Sequence, residues 1–238
     1  MSDFDLGRLP HHHYNKRSTV LSWNGTDTRE LFQKNCADFG QKKKLESLGW
    51  LEPDCISYKF NSFGFRDEEF DSRPCGLALG CSHTQGIGLP ESAAWPRVLS
   101  NLVGTHIWNL GVGGSSIDTA FRLLDRWLPI LMPKFVVFCV PDLNRVEIFD
   151  HLNPASLVPN HQPTHLMPFY KVWASSDANP TLLKRKNLLA MQYLCDQAKI
   201  PFLQLDYTSL PPGGYARDLM HYGVESHNEF AKQMYTLL

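Results

Sequence analysis

The chain reads as an α/β domain with a central, mostly parallel sheet covered by helices on both faces and an irregular N-terminal extension. Three observations predict this. Two short, almost wholly apolar runs, Cys75–Leu79 and Phe135–Val140, have the length and composition of strands buried on both sides, as the middle strands of parallel sheets are. The segments between such runs carry apolar residues at helical spacing. Strand-like and helix-like patterns then alternate through most of the last two-thirds of the 238 residues, which is how a doubly covered parallel sheet is wound.

Residues 1–72 lack this alternation and read as an extension packed on a main domain of residues 73–238. Its most patterned piece runs from Tyr58 to Phe70. There Gly64 suits a positive φ, and Arg66 reads as a brace forking onto a carboxylate rather than as a substrate contact. His11, His12 and His13 stand in a polar, proline-flanked stretch; exposure is expected of them, with metal binding as the alternative. The main domain opens with the strand Cys75–Leu79. Trp95, Val98, Leu99, Leu102 and Val103 then mark one face of a helix, with Pro96 in its first turn. Thr105–Leu110 is the next strand. Ile117, Phe121, Leu124 and Leu128 form the inner face of the following helix, and Phe135–Val140 is the third strand. Asn179 and Pro180 suit the cap and first position of a helix running to about Lys199. Pro201–Asp206 is a fourth strand, and His227, Phe230, Ala231, Met234 and Leu238 line a C-terminal helix. Residues 150–179 hold four prolines, three histidines, Phe169, Tyr170 and Trp173 and read as a long insertion loop, either a lid or substrate wall or a packed insertion.

Composition narrows the function classes. Lys plus Arg number 23 against 24 Asp plus Glu, so no overall field draws the chain to nucleic acid or anionic lipid. The run Lys42–Lys44, close to Glu46, reads as a solvated helix face. No apolar stretch has the length of a membrane span and the first residues lack signal-peptide character, so a cytoplasmic location is expected. The six cysteines show no C-x-x-C spacing and read as reduced thiols rather than a disulfide framework. Neither a metal nor an organic cofactor is expected.

Parallel sheets gather functional loops at the carboxyl ends of their strands. Here the loops after the four strands carry, in turn, Ser82, Gly113–Gly114, Asp142 with Asn144, and Asp218 with His221. A candidate nucleophile, backbone donors, an orienting acid and a base thus converge on one edge, which is what acyl transfer requires. Asp218 and His221, three residues apart in a tight turn, can place the carboxylate on Nδ1 and leave Nε2 free. The alternative is a surface turn whose Asp caps the helix beginning near Val224. Ser115 and Ser116 read as helix N-caps, His83 as pocket wall, and His227 as a hydrogen-bonded core histidine. Cys81 is a rival nucleophile, but its side chain is expected on the side opposite Ser82.

These segments resemble the conserved blocks of the SGNH/GDSL hydrolases. The matching stretches are Gly80-Cys-Ser82-His-Thr-Gln-Gly86, Asn109-Leu-Gly-Val-Gly-Gly114-Ser and Asp218-Leu-Met-His221, supported by Ser92–Pro96 and Asn61–Arg66. The resemblance spans about Cys75 to the C-terminus and implies a three-layer, flavodoxin-like fold. It implies Ser82 as nucleophile, His221 as base and Asp218 as its orienting acid. Ser82 N–H and Gly114 N–H would be the oxyanion donors. Two positions depart from the pattern. Cys81 stands where the family has Asp, and in Val140-Pro-Asp142-Leu-Asn144-Arg145 a gapless alignment puts Leu143 at the place of the oxyanion-hole asparagine. Asn144, one step beyond, is the candidate for the third donor.

Two functions follow as expectations. One is a serine esterase acting on a small acyl ester, acetyl or similar, of which a carbohydrate ester is one class. The other is a catalytically silent member of the same fold, used in binding or assembly, in a virion for example. Its homo-oligomer or assembly contact would run through the N-terminal extension. A nucleotide-binding module fits less well, because neither glycine turn is followed by the lysine or acidic residue such sites use.

Overall fold

The computed structural model describes residues 11, 13–150, 153–158, 164–209 and 213–238. Among them the N-terminal region is not without regular structure. A short strand β1 (Val20–Leu21) leads to helices α1 (Arg29–Ala37) and α2 (Phe39–Ser47), and β2 (Tyr58–Lys59) returns antiparallel to β1. Local chemistry sets both helix starts. The Thr28 side chain accepts the Leu31 N–H and the Asp38 side chain accepts that of Gln41, each supplying an acceptor to a first-turn amide that lacks one. Lys42, Lys43 and Lys44 lie exposed on α2, as their pattern predicts. Phe32, Leu45, Trp50, Ile56, Tyr58 and Phe60 close over Ile87, Leu89 and Ala216, so this region builds its own apolar cluster against the main domain.

The main domain follows the predicted order: β3 (Cys75–Leu79), α3 (Ser82–Gln85), α4 (Trp95–Val103), β4 (His106–Asn109), α5 (Ile117–Leu131) and β5 (Val136–Val140). A hairpin of β6 (Val146–Asp150) and β7 (Asn153–Leu157) comes next. After it stand α6 (Met167–Ala174), α7 (Ala178–Ala198), β8 (Phe202–Asp206) and α8 (Val224–Leu237). Strands β3, β4, β5 and β8 form one all-parallel sheet in the order β4-β3-β5-β8.

Strand alternation divides the core into two layers. Leu77, Leu79, Val136, Phe138 and Val140 face Leu124 and Trp127 of α5 and Met191 and Cys195 of α7. Ala78, Val137 and Cys139 face Trp95 and Leu99 of α4 and Phe230, Ala231 and Met234 of α8. The result is a three-layer sandwich. Full burial of each such large side chain contributes about 1.5–3 kcal/mol before entropy is counted. His227 belongs to the second layer: it is buried, and its Nδ1 accepts the Trp95 N–H at 3.1 Å. Burial holds its imidazole down to about 3.

Several expectations are corrected. Much of the 150–179 stretch is strand and helix, because Glu147 of β6 pairs with Arg122 of α5 at 2.8 Å and anchors the hairpin on the domain. Residues 151–152 and 159–163 lie outside the described residues. The cap of α7 falls on Asp177 rather than Asn179, whose side chain instead donates to the Trp173 carbonyl at 2.6 Å. Leu238 is exposed at the chain end rather than part of the inner face of α8. His11 and His13 are buried. The His11 ring packs on Phe65 at 4.5 Å, its Nε2 donates to the Phe63 carbonyl, and its Nδ1 accepts the His13 N–H. His12 lies outside the described residues. Arg66 is a buried brace, but it forks onto carbonyls rather than a carboxylate. Those of Ser57, Gln85, Gly86 and Leu89 surround it, and its guanidinium lies over the Tyr58 ring at 4.2 Å. All six cysteines are free thiols. Among the described residues no helix is long and apolar enough to cross a membrane.

Candidate active site

Ser82 sits where β3 ends. Gly80 turns the chain there with φ 150°, and any Cβ at that position would lie 2.1 Å from Thr84 Oγ1 and 2.8 Å from the Cys139 carbonyl. Only glycine tolerates both the backbone angle and the space. Ser82 then becomes the first residue of α3, so its N–H has no intrahelical acceptor. The residue is buried, and the Cys81 thiol lies 3.9 Å from its hydroxyl.

The glycine turn after β4 is held beside it. Leu110 and Val112 extend the ladder by donating to the Ala78 and Gly80 carbonyls, and Ser115 Oγ donates to Gly80 as well. Asn109 clamps the turn from below, accepting the Gly111 N–H on Oδ1 and donating from Nδ2 to Thr84. A Cβ on Gly113 would meet Gln85 Oε1 at 2.8 Å, His13 Cε1 at 3.2 Å and Ser82 Cβ at 3.8 Å, so this backbone lies directly against the serine. Gly114 has φ 76°, and its carbonyl is fixed by Ser156 Oγ at 2.7 Å. Ser116 caps α5, accepting the Thr119 N–H, whereas Ser115 does not act as a cap.

The last loop supplies His221. Asp218 to His221 forms a tight turn around Leu219 at φ 55°. Asp218 Oδ1 accepts the N–H groups of Met220 and His221, both at 3.0 Å, and Oδ2 lies 2.6 Å from His221 Nδ1. His221 Nε2 lies 2.8 Å from Ser82 Oγ. Because Nδ1–H donates to the carboxylate, Nε2 carries the lone pair that faces the hydroxyl. Asp218 therefore serves the imidazole rather than capping α8, where Gly223 is the cap residue. Burial acts to raise the Asp218 carboxyl, but the hydrogen bond and charge of His221 and the Thr26 hydroxyl outweigh it and draw it down to about 2.

His83 forms a wall beside the base. Its ring meets His221 edge-on at 4.9 Å, stacks on Tyr207 at 5.3 Å and lies 5.1 Å from Tyr222. Burial, the largest cause, holds its basicity well below the ordinary histidine range, so it adds no competing charge.

Asn144 makes no side-chain hydrogen bond to Ser82 among the described residues. The residue is exposed, its N–H donates to Asp142 and its carbonyl accepts from Tyr170 Oη at 2.8 Å. Leu143 packs against the core beside it.

Sequence reasoning missed the N-terminal contribution. Thr26 Oγ1 donates to Asp218 Oδ2 at 2.6 Å, Gln85 Nε2 lies 3.0 Å from His13 Nδ1, and Asn24 Nδ2 reaches Gln85 Oε1 at 3.4 Å. The only local signal was the turn-forming Asn24-Gly25 pair, which predicts a loop and says nothing of where it docks. Metal-ligating groups come together once among the described residues, where Asp67, Glu68 and His106 present atoms within 4.8 Å of one another. Arg97 already answers that charge, at 3.4 Å from Asp67 and 3.8 Å from Glu68.

Fold and site together define an α/β protein with a serine–histidine–aspartate hydrogen-bonded relay at the carboxyl edge of its sheet. No protein-family profile matches the chain, and no curated protein matches it. Solved structures similar to it are SGNH/GDSL hydrolases. One is a member of the lipolytic G-D-S-L family from Veillonella parvula, 12% identical over 69% of this chain and 99% of that one, with a TM-score of 0.36. The psychrotrophic esterase EstA from a Pseudoalteromonas species is 15% identical over 70% and 96%, with a TM-score of 0.38. An acetyl xylan esterase from the rumen bacterium Butyrivibrio proteoclasticus is 13% identical over 72% of this chain and 65% of that one, with a TM-score of 0.39. At such identities and scores the site stands on this chain's own geometry.

Proposed function

We propose that the chain is a serine esterase of the SGNH/GDSL type, with Ser82 as nucleophile, His221 as base and Asp218 as its orienting acid. The observation that carries this is the unbroken relay from Ser82 Oγ to His221 Nε2, 2.8 Å, and from His221 Nδ1 to Asp218 Oδ2, 2.6 Å. Ser82 Oγ attacks the ester carbonyl while His221 takes its proton. The tetrahedral intermediate collapses, the C–O bond to the alcohol breaks, and His221 passes the proton to the departing alkoxide. Water then attacks the acyl-serine carbonyl, giving its proton to His221, which returns it to Ser82 as the carboxylic acid leaves. The negative oxygen is met by the N–H groups of Ser82 and Gly114. The substrate proposed is a small acyl ester such as an acetyl ester. A carbohydrate ester is one such class.

The experiment is covalent labelling with a fluorophosphonate probe, followed by mapping of the modified residue. Modification at Ser82, abolished together with aryl acetate hydrolysis in Ser82→Ala, is the expected result. Hydrolysis persisting in that variant would remove Ser82 from the reaction.

The exposed Asn144 supports a second reading, in which an oxyanion hole with two backbone donors leaves a silent binding or assembly protein. A stable homo-oligomer or particle association, with no labelling and no turnover on any acyl ester, would favour it.

A further inference from the structure

We infer that Thr26 is a positioning residue for the proposed reaction, a fourth group in the relay supplied by the N-terminal region. The inference rests on the esterase reading above and adds to it. The Asp218 side chain is fully buried, so its oxygens depend on protein donors rather than water. Oδ1 is saturated by the two turn amides of Met220 and His221. Oδ2 takes His221 Nδ1–H at 2.6 Å and the Thr26 hydroxyl at 2.6 Å, and Thr26 Oγ1 itself lies 3.4 Å from His221 Nδ1.

The carboxylate thus has four donors for its roughly four lone-pair sites, and Thr26 fixes the oxygen that aims the imidazole. Without that hydroxyl, Oδ2 keeps one donor, and the carboxylate is held less firmly against rotation about its Cβ–Cγ bond. Rotation would carry His221 Nε2 out of line with Ser82. Thr26 is itself held in place because the next residue, Asp27, is locked to Arg217, the residue before Asp218. The two contacts bracket the acid from both sides of the same peptide.

The test compares Thr26→Val, Thr26→Ala and Thr26→Ser on the full chain, with 4-nitrophenyl acetate as substrate. Thr26→Val and Thr26→Ala should lower kcat by roughly 10–100-fold with KM little changed, since a small misplacement of a catalytic group costs that much. Thr26→Ser, which keeps the hydroxyl, should restore kcat. A second readout does not need turnover: the far-downfield proton resonance of the His221 Nδ1–H bond, lost in His221→Ala, should shift in Thr26→Val and return in Thr26→Ser. Losses in thermal stability alone, with kcat of the folded protein and the resonance unmoved, would overturn the inference. So would a serine variant as impaired as the valine one. If the wild type neither labels at Ser82 nor hydrolyses esters, the esterase reading fails. The resonance then still decides Thr26, a shift in Thr26→Val supporting its hold on Asp218 and an unmoved signal overturning it.

Discussion

Asp27 and Arg217, 190 positions apart, form a bidentate ion pair with both side chains almost fully buried. Nε lies 2.9 Å from Oδ1 and Nη2 lies 2.7 Å from Oδ2. Arg217 also donates to the Ser22 and Pro53 carbonyls and lies over the Trp23 ring at 4.0 Å, while Asp27 takes the Tyr58 hydroxyl. The pair therefore pins the N-terminal region to the loop that carries Asp218 and His221.

Breaking it should cost stability. Replacing one partner of a buried, hydrogen-bonded pair leaves the other charge uncompensated, so Asp27→Asn should lose about 3–5 kcal/mol in urea unfolding. Its fluorophosphonate labelling should slow as well, because the loop bearing the base loses its anchor.

Asp218→Asn should keep the fold and lose the chemistry. The amide cannot hold the imidazole in the tautomer that leaves Nε2 free, and hydrolysis of 4-nitrophenyl acetate should fall about 10⁴-fold. An unchanged circular dichroism spectrum alongside that loss would separate chemistry from unfolding.

Asn144→Ala and Gly113→Ala should behave in opposite ways. Asn144 is exposed and its side chain holds nothing among the described residues, so its removal should leave turnover essentially unchanged. A methyl on Gly113 would sit 2.8 Å from Gln85 Oε1 and 3.2 Å from the His13 ring, pushing the glycine turn away from Ser82. Turnover should drop by about 10²-fold if the turn carries oxyanion donors. A large loss in Asn144→Ala would instead restore that side chain to the mechanism.

Acid should destabilise the protein in two stages. The His227 imidazole protonates near 6.5 when exposed but only near 3 when buried, so between those values the unfolded chain binds the extra proton. Stability is then present above about 6.5 and falls as pH drops toward 3. Asp218 acts lower: its charge stabilises the fold above 3.8, and that contribution is lost as pH falls toward 2. Urea midpoints measured from pH 7 to 4 should decline, and His227→Gln should flatten the decline.

Most of the architecture was legible before any coordinates. Helix α4 spans Trp95–Val103, the residues whose apolar spacing marks it, and β5 and β8 lie within the runs that predict them. Ser82, His221 and Asp218 could be named because their segments resemble the blocks of a known family, whereas the spacing of Asp218 and His221 alone also fits a helix cap. Asn144 shows the limit: spacing could not tell whether it or Leu143 turns toward the core, and only the folded Pro141–Arg145 turn packs Leu143 there and leaves Asn144 exposed. His13 shows the same limit from the other side, since a polar stretch gave no hint of the Phe65 surface that buries its neighbour His11.

The amino-acid order by itself determined the alternation of strand and helix and the faces that pack, because hydrophobic period is a property of neighbouring residues. It also placed Ser82 just beyond a strand end and set Asp218 and His221 three residues apart in one loop. Only the tertiary structure decided that an N-terminal threonine and aspartate complete the far end of the relay. Which buried carboxylate meets which hydroxyl or guanidinium is set by where distant segments dock, and no residue spacing encodes that distance.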